Sequence, residues 1–162
     1  MISVALLLVG AALAAMPADL SGRWTLDQDR SESMDALLAA SGASLMERAA
    51  AATVTVSQDM RVEGGALIIQ VESSLMDHEQ RLPLDGSPQK RTSKRGEPME
   101  VATRVEGDAV VTRTLITGAD GRVSTLELVR RVEDGGATMR QTVRYTAPGK
   151  SPIEADRVFR RQ

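Results

Sequence analysis

This chain offers few residues for chemistry. Cysteine is absent, which removes thiol nucleophiles, thiolate metal sites and disulfides. The one histidine, His78, sits in Asp77-His78-Glu79. Neighbours along a strand point in alternating directions, so Asp77 and Glu79 face away from it. A single histidine with scattered carboxylates makes neither a catalytic triad nor a good transition-metal site. His78 therefore reads as solvent-exposed, and no catalytic residue, metal ligand or cofactor is expected. Arginines among apolar residues remain. Arg130 alternates with Leu126 and Leu128 in Arg122–Val132, and Arg157 shares a face with Phe159 near the end of the chain. A cation on an aliphatic face needs a partner. An anionic, largely apolar ligand in a hydrated cavity would supply one. A register shift of one residue would instead turn Arg130 and Arg157 outward, toward carboxylates such as Glu127 or Glu154.

The elements that position these arginines are mostly strands. Gly22–Leu26 reads as a strand, and Thr53–Gln58 as the next. Two short helices interrupt them, at Met34–Ala40 and Leu45–Ala51. Met34, Leu37 and Leu38 form one apolar face at i, i+3, i+4. Ser33 is placed to cap the first helix, and Ser44 with Glu47 has capping-box spacing at the second. A helical pair this short needs an apolar surface beneath it. Asp27 and Asp29 read as loop residues leading into it.

Beyond Gln58, glycine-rich turns at 64–65, 86, 96, 107, 121, 135–136 and 149 punctuate the chain. Alternating runs lie between them at Ala66–Glu72, Leu75–Leu82, Met99–Val105, Ala109–Thr117, Arg122–Val132, Ala137–Thr146 and Ile153–Arg160. A polar strand at Ser87–Lys94 brings the count to ten. The expected fold is mainly β: an antiparallel up-and-down ten-stranded barrel, its edges removed by closure, with a two-helix lid between the first and second strands. Ser124, Leu126, Leu128, Arg130 and Val132 form the expected inner face of one strand. Tyr145 shares a face with Met139, Gln141 and Val143.

Ile2–Ala15 is almost wholly apolar and ends in small residues. That pattern predicts a signal peptide over 1–18, a barrel domain over 19–162, and a periplasmic or secreted mature protein without stable membrane insertion. Twenty basic and 22 acidic residues give a net charge of −2. No basic stripe is present to track phosphates, so nucleic acid is not an expected partner. The one cationic run, Lys90–Arg95, reads as a solvated hairpin tip.

Several segments together resemble the fatty-acid-binding proteins, relatives of the lipocalins within the calycins. They are Ser21-Gly22-Arg23-Trp24-Thr25-Leu26, the helix start at Ser31–Asp35, Leu67–Ser73, and Arg157-Val158-Phe159-Arg160. The resemblance implies a barrel whose helices gate a lipid cavity. It further implies that late-strand arginines and a terminal Arg-x-Tyr grip the ligand carboxylate. The matching positions are Arg130, Arg157 and Phe159. Phe159 keeps the aromatic body and lacks the hydroxyl donor. Trp24 would plug one end of the barrel, under an arginine of the last strand.

The expected function is non-enzymatic binding of a small hydrophobic, anionic ligand. Arg130, Arg157 and Phe159 would hold its head, and Met34, Leu38, Leu126, Leu128 and Tyr145 would line the rest. The alternative is a filled barrel acting as a structural or protein-interaction module. A calycin-like enzyme would require polar groups converging on His78.

Overall fold

Alternating apolar and polar residues between glycine turns produce ten antiparallel strands. They are β1 (Gly22–Asp27), β2 (Val56–Glu63), β3 (Ala66–Ser73), β4 (His78–Pro83), β5 (Gln89–Thr92), β6 (Pro98–Glu106), β7 (Ala109–Thr117), β8 (Val123–Glu133), β9 (Thr138–Thr146) and β10 (Ile153–Arg161). Helices α1 (Asp35–Ala40) and α2 (Leu45–Thr53) lie between β1 and β2. These elements come from a computed structural model that describes residues 19–162. The expected signal peptide lies outside the described residues.

One sheet contains every strand, in the order β4-β3-β2-β1-β10-β9-β8-β7-β6-β5. Consecutive strands pair as hairpins, and β1 joins β10, so the sheet curls into a barrel. The curl stops short of full closure, because no ladder joins β4 to β5. Pro83 and Pro88 flank the crossing and lack the N–H groups that a ladder needs. Other bonds bridge the gap. Arg91 donates to the Arg81 carbonyl at 2.9 Å, and the Gly86 amide donates to the Thr103 carbonyl at 2.9 Å.

Several boundaries differ from the sequence expectation. The alanine run 49–52 carries α2 on to Thr53, so β2 begins at Val56 and continues to Glu63. Leu75–Asp77 forms a turn held by the Ser73 hydroxyl, which delays β4 to His78. Only the middle of the expected Ser87–Lys94 strand pairs. Ala137 closes a turn in which Asp134, Gly135 and Gly136 all have positive φ, so β9 starts one residue later. Met34 occupies the N-cap of α1 without a side-chain cap, and the Ser33 hydroxyl accepts instead from the Asp35 amide. The capping box of α2 forms as its spacing requires, with Ser44 and Glu47 satisfying each other's amides.

The barrel interior holds two apolar clusters. At the closed end Trp24, Leu26, Met60, Leu67, Ile69, Leu82, Val110, Met139 and Phe159 pack together. The Trp24 indole donates to the Leu20 carbonyl at 2.8 Å, beneath the Arg161 guanidinium. Under the helices Leu37, Val143 and Tyr145 form a second cluster, with Met34, Leu126, Leu128 and Ile153 against it. Leu37 is the residue through which α1 seals this end.

Candidate ligand-binding site

Strand register places three polar residues in one row between those clusters. Arg130 of β8 stands opposite Gln141 of β9, which stands opposite Arg157 of β10. Adjacent strands lie about 4.8 Å apart, so the row spans roughly 10 Å of barrel wall. Each strand steps from the closed-end cluster through this row to the lid. On β9 the inward sequence is Met139, Gln141, Val143, Tyr145, and on β8 it is Val132, Arg130, Leu128, Leu126.

Arg130 is only 5% exposed. Its Nη1 donates to Thr112 Oγ1 at 3.3 Å, and Thr103 Oγ1 donates to the same oxygen at 3.0 Å. Its Nε has no partner. Burial lowers its pKa to about 10, so the group remains a cation at neutral pH. Among the described residues neither Arg130 nor Arg157 forms an ion pair. Glu127 and Glu154, the surface alternatives, are taken on the outer face by Arg113 and Arg144, with Glu127 3.0 Å from Arg113 and Glu154 2.6 Å from Arg144. The inward register therefore holds. Two more buried acceptors lack partners, Gln141 Oε1 and, on β2, Gln58 Oε1.

Arg157 is partly buried, donates from Nη1 to the Glu32 carbonyl at 3.2 Å, and has its pKa lowered by burial. It lines a cavity of about 220 Å³ between the loop before α1 and the two helices, together with Gln28, Glu32, Met34, Asp35, Leu38 and Arg48. That volume lies below the roughly 300–1,000 Å³ usual for small-molecule pockets. With the lid in this position, the cavity accommodates a small ligand or one part of a longer one.

The remaining sequence-derived candidates divide between the two clusters. Phe159 packs in the closed-end cluster, on the side of the arginine row away from the lid. Met34, Leu126 and Leu128 border the lid cluster. Leu38 lines the cavity. Tyr145 belongs to the lid cluster, and its hydroxyl donates to Ser124 Oγ at 3.1 Å. His78 is exposed at the β4 edge, 2.9 Å from the Gln80 amide nitrogen. Among the described residues no carboxylate–histidine group suits a metal ion, and no helix is long and apolar enough to cross a membrane.

Two expectations need correction. Asp27 is not a loop residue: it ends β1, is buried, and accepts from Arg160 at 2.5 Å. The Lys90–Arg95 run is more than a solvated tip. Arg95 reaches the loop between the helices and donates to the Gly42 carbonyl at 2.8 Å and the Ser41 carbonyl at 3.2 Å. Those carbonyls lie at the C-terminal end of α1, where cationic donors are favoured. Gln141 is a member of the row that the sequence alone does not single out. Its period-two face was visible, but its place between two arginines depends on strand register.

No family model matches the sequence, and no curated protein matches it. Solved structures do. Fatty-acid-binding protein 1 of Echinococcus granulosus aligns with a TM-score of 0.70 at 18% identity, covering 88% of this chain and 96% of that one. Apo lipid binding protein 8 of Caenorhabditis elegans gives a TM-score of 0.71 at 15% identity, covering 91% and 100%. The Schistosoma mansoni fatty acid binding protein in complex with arachidonic acid gives 0.68 at 21%, covering 88% and 95%.

This chain has the fatty-acid-binding-protein fold. Agreement extends over nearly all the described residues at an identity that speaks for architecture alone. Within that fold, this chain places Arg130 and Arg157 on the inner wall of β8 and β10, with Gln141 between them.

Proposed function

We propose that the protein is a non-enzymatic carrier or binder of an anionic amphiphile of the fatty-acid class. The observation behind this reading is the Arg130–Gln141–Arg157 row, two inward arginines that no carboxylate among the described residues neutralises. A buried cation without a counter-charge is costly, and a ligand carboxylate would remove that cost through charge-assisted hydrogen bonds. The head would sit at the row, with the Arg130 Nε–H and the Arg157 guanidinium as donors. The tail would lie toward Leu126, Leu128, Tyr145, Leu38 and Met34 under the helices. Each methylene removed from water adds about 0.8 kcal/mol. Phe159 contributes an apolar ring below the row and no hydrogen bond. The fatty-acid and lipid ligands named for proteins of the same fold support the same class.

We further infer that the mature chain works in the periplasm or outside the cell, on the strength of the apolar Ile2–Ala15 stretch. Intact mass of the protein recovered from an export-competent host tests this. A mass that retains residues 1–18 opposes it.

The direct test is native mass spectrometry of gently purified protein, followed by titration with dodecanoate. A co-purifying acid, or saturable dodecanoate binding that Arg130→Ala and Arg157→Ala each weaken, is the expected result. Unchanged affinity in both variants removes the proposed anchor. The packed closed-end cluster and the small cavity favour a second reading, a filled barrel acting as an interaction module. Protein that is empty as purified and ignores a fluorescent fatty acid would support that one.

A further inference from the structure

The seam between β4 and β5, which no ladder closes, is bridged at its lid end by a side-chain contact. Both turns that flank this end lie beside the helical segment. The Ser74 amide of the β3–β4 turn donates to the Thr55 carbonyl at 3.3 Å, and Arg95 of the β5–β6 turn donates to the Gly42 carbonyl at 2.8 Å. Between the two turns, Lys94 Nζ donates to Met76 Sδ at 3.3 Å. Among the described residues this is the one hydrogen bond that a sulfur accepts. The Ser73 hydroxyl fixes the turn that presents Met76, donating to its carbonyl at 2.7 Å and accepting from its amide at 3.0 Å. Met76 is 42% exposed, whereas Met60 and Met139 are buried in the closed-end cluster.

We propose that Met76 is an oxidation site, and that its sulfoxide fastens the open seam through a stronger bond to Lys94. The oxidant is a peroxide. Hydrogen peroxide gives one oxygen to Sδ: the O–O bond breaks, an S–O bond forms, and the sulfur loses two electrons. The second oxygen leaves with both protons as water. A thioether is a weak acceptor, and its second lone pair is available for this attack while the first accepts from Lys94. The sulfoxide oxygen is a strong, partly negative acceptor, so the ammonium makes a charge-assisted bond in place of the weak one. Lys94 is exposed, and its flexible stem allows for the added length of one S–O bond. Arg95, next in the chain, holds the loop between the helices, so fastening this turn also steadies the anchor of the lid. Met46 is 83% exposed and oxidises too, but among the described residues no hydrogen bond reaches its sulfur.

The test is treatment with hydrogen peroxide, peptide mass spectrometry to locate the modified methionines, and amide hydrogen exchange on reduced and oxidised protein. Met46→Leu, a change at an exposed position, supplies the background. There Met76 is expected to react ahead of Met34, Met60, Met99 and Met139. Exchange in residues 74–77 and 93–97 should then slow about threefold, the scale of one exposed charged pair. Repair by a methionine sulfoxide reductase should restore the original rates. In Lys94→Ala, Met76 should still oxidise and the slowing should be absent. Sparing of Met76 overturns the proposal. So does exchange that is unchanged or faster after oxidation, or slowing that persists in Lys94→Ala.

Discussion

Thr112 Oγ1 accepts from Arg130 Nη1 at 3.3 Å, and among the described residues this is the one side-chain partner the buried guanidinium has. A cation in a low-dielectric interior with one neutral acceptor is poorly compensated. Under the proposed function, the arrangement trades stability for an anion site. Replacing the arginine by an apolar residue of similar length separates those two consequences. Arg130→Met is expected to stabilise the unliganded protein by about 1–3 kcal/mol in urea unfolding at pH 7, and to abolish dodecanoate binding. A less stable variant that still binds would contradict the assignment.

The lowered Arg130 pKa sets a pH limit on binding. In the unfolded chain the group holds its proton to the ordinary, higher arginine value, and in the folded protein only to about 10. The unfolded state therefore binds more protons between those values, and this residue's contribution to stability rises with pH across that window. The cation proposed to hold the ligand is lost across the same window. Dodecanoate affinity should be flat from about pH 7 to 9 and fall above about 10, a profile that calorimetry at stepped pH would show. Affinity that persists above the transition would move the anchor away from Arg130.

Arg95 ties the β5–β6 turn to the lid through the Ser41 and Gly42 carbonyls. The contact is exposed, so its contribution to global stability is small. Arg95→Ala should shift the thermal midpoint by no more than about 3 °C, while amide hydrogen exchange in residues 41–53 accelerates. Unchanged exchange in that segment would show that the Arg95 contact does not hold the lid.

Trp24 closes the opposite end, with the Arg161 guanidinium carbon 4.2 Å from its ring centroid and its indole bonded to Leu20. Trp24→Phe keeps most of the buried area but removes the indole N–H and weakens the cation–π contact. A loss of about 1–3 kcal/mol is expected, measured by urea unfolding followed by circular dichroism. A neutral substitution would mean that area alone holds this end together.

Asp27 links β1 to β10 through Arg160. Burial works to raise its pKa, but hydrogen bonds from Arg160 and the Arg30 amide, together with both charges, outweigh it and hold the carboxyl below its ordinary 3.8. A depressed carboxylate pKa gives stability that is complete above the unfolded value and lost as pH falls through the folded one. Asp27→Asn should therefore be less stable at pH 7 and lose less stability than wild type on acidification below about pH 4. Parallel acid-unfolding curves for the two proteins would remove this residue from the acid response.

Much of the architecture was legible along the chain. Glycine turns and two-residue alternation located ten strands, because a half-buried strand must alternate whatever it pairs with. The Ser44–Glu47 box located the start of α2, because capping is a local hydrogen-bond exchange. Placing Arg130 on one face with Leu126 and Leu128 needed only the period of two, whereas turning that face inward depended on strand register. The ends of β2 and β4 were less legible. The first depends on how far an alanine run sustains a helix, and the second on a turn held by the Ser73 hydroxyl.

Which residues share a face follows from the chain alone, since side-chain direction is a property of one strand. Which faces meet depends on how the strands pair. Gln141 lies between Arg130 and Arg157 only through the registers of two separate strand pairs. Asp27 meets Arg160, and Arg95 meets Gly42, across long stretches of chain. Glu127 and Glu154 are spent on outer-face arginines, which leaves the inner ones uncompensated. Register is set by the sum of many cross-strand contacts and turn geometries, and no single stretch of residues carries that sum.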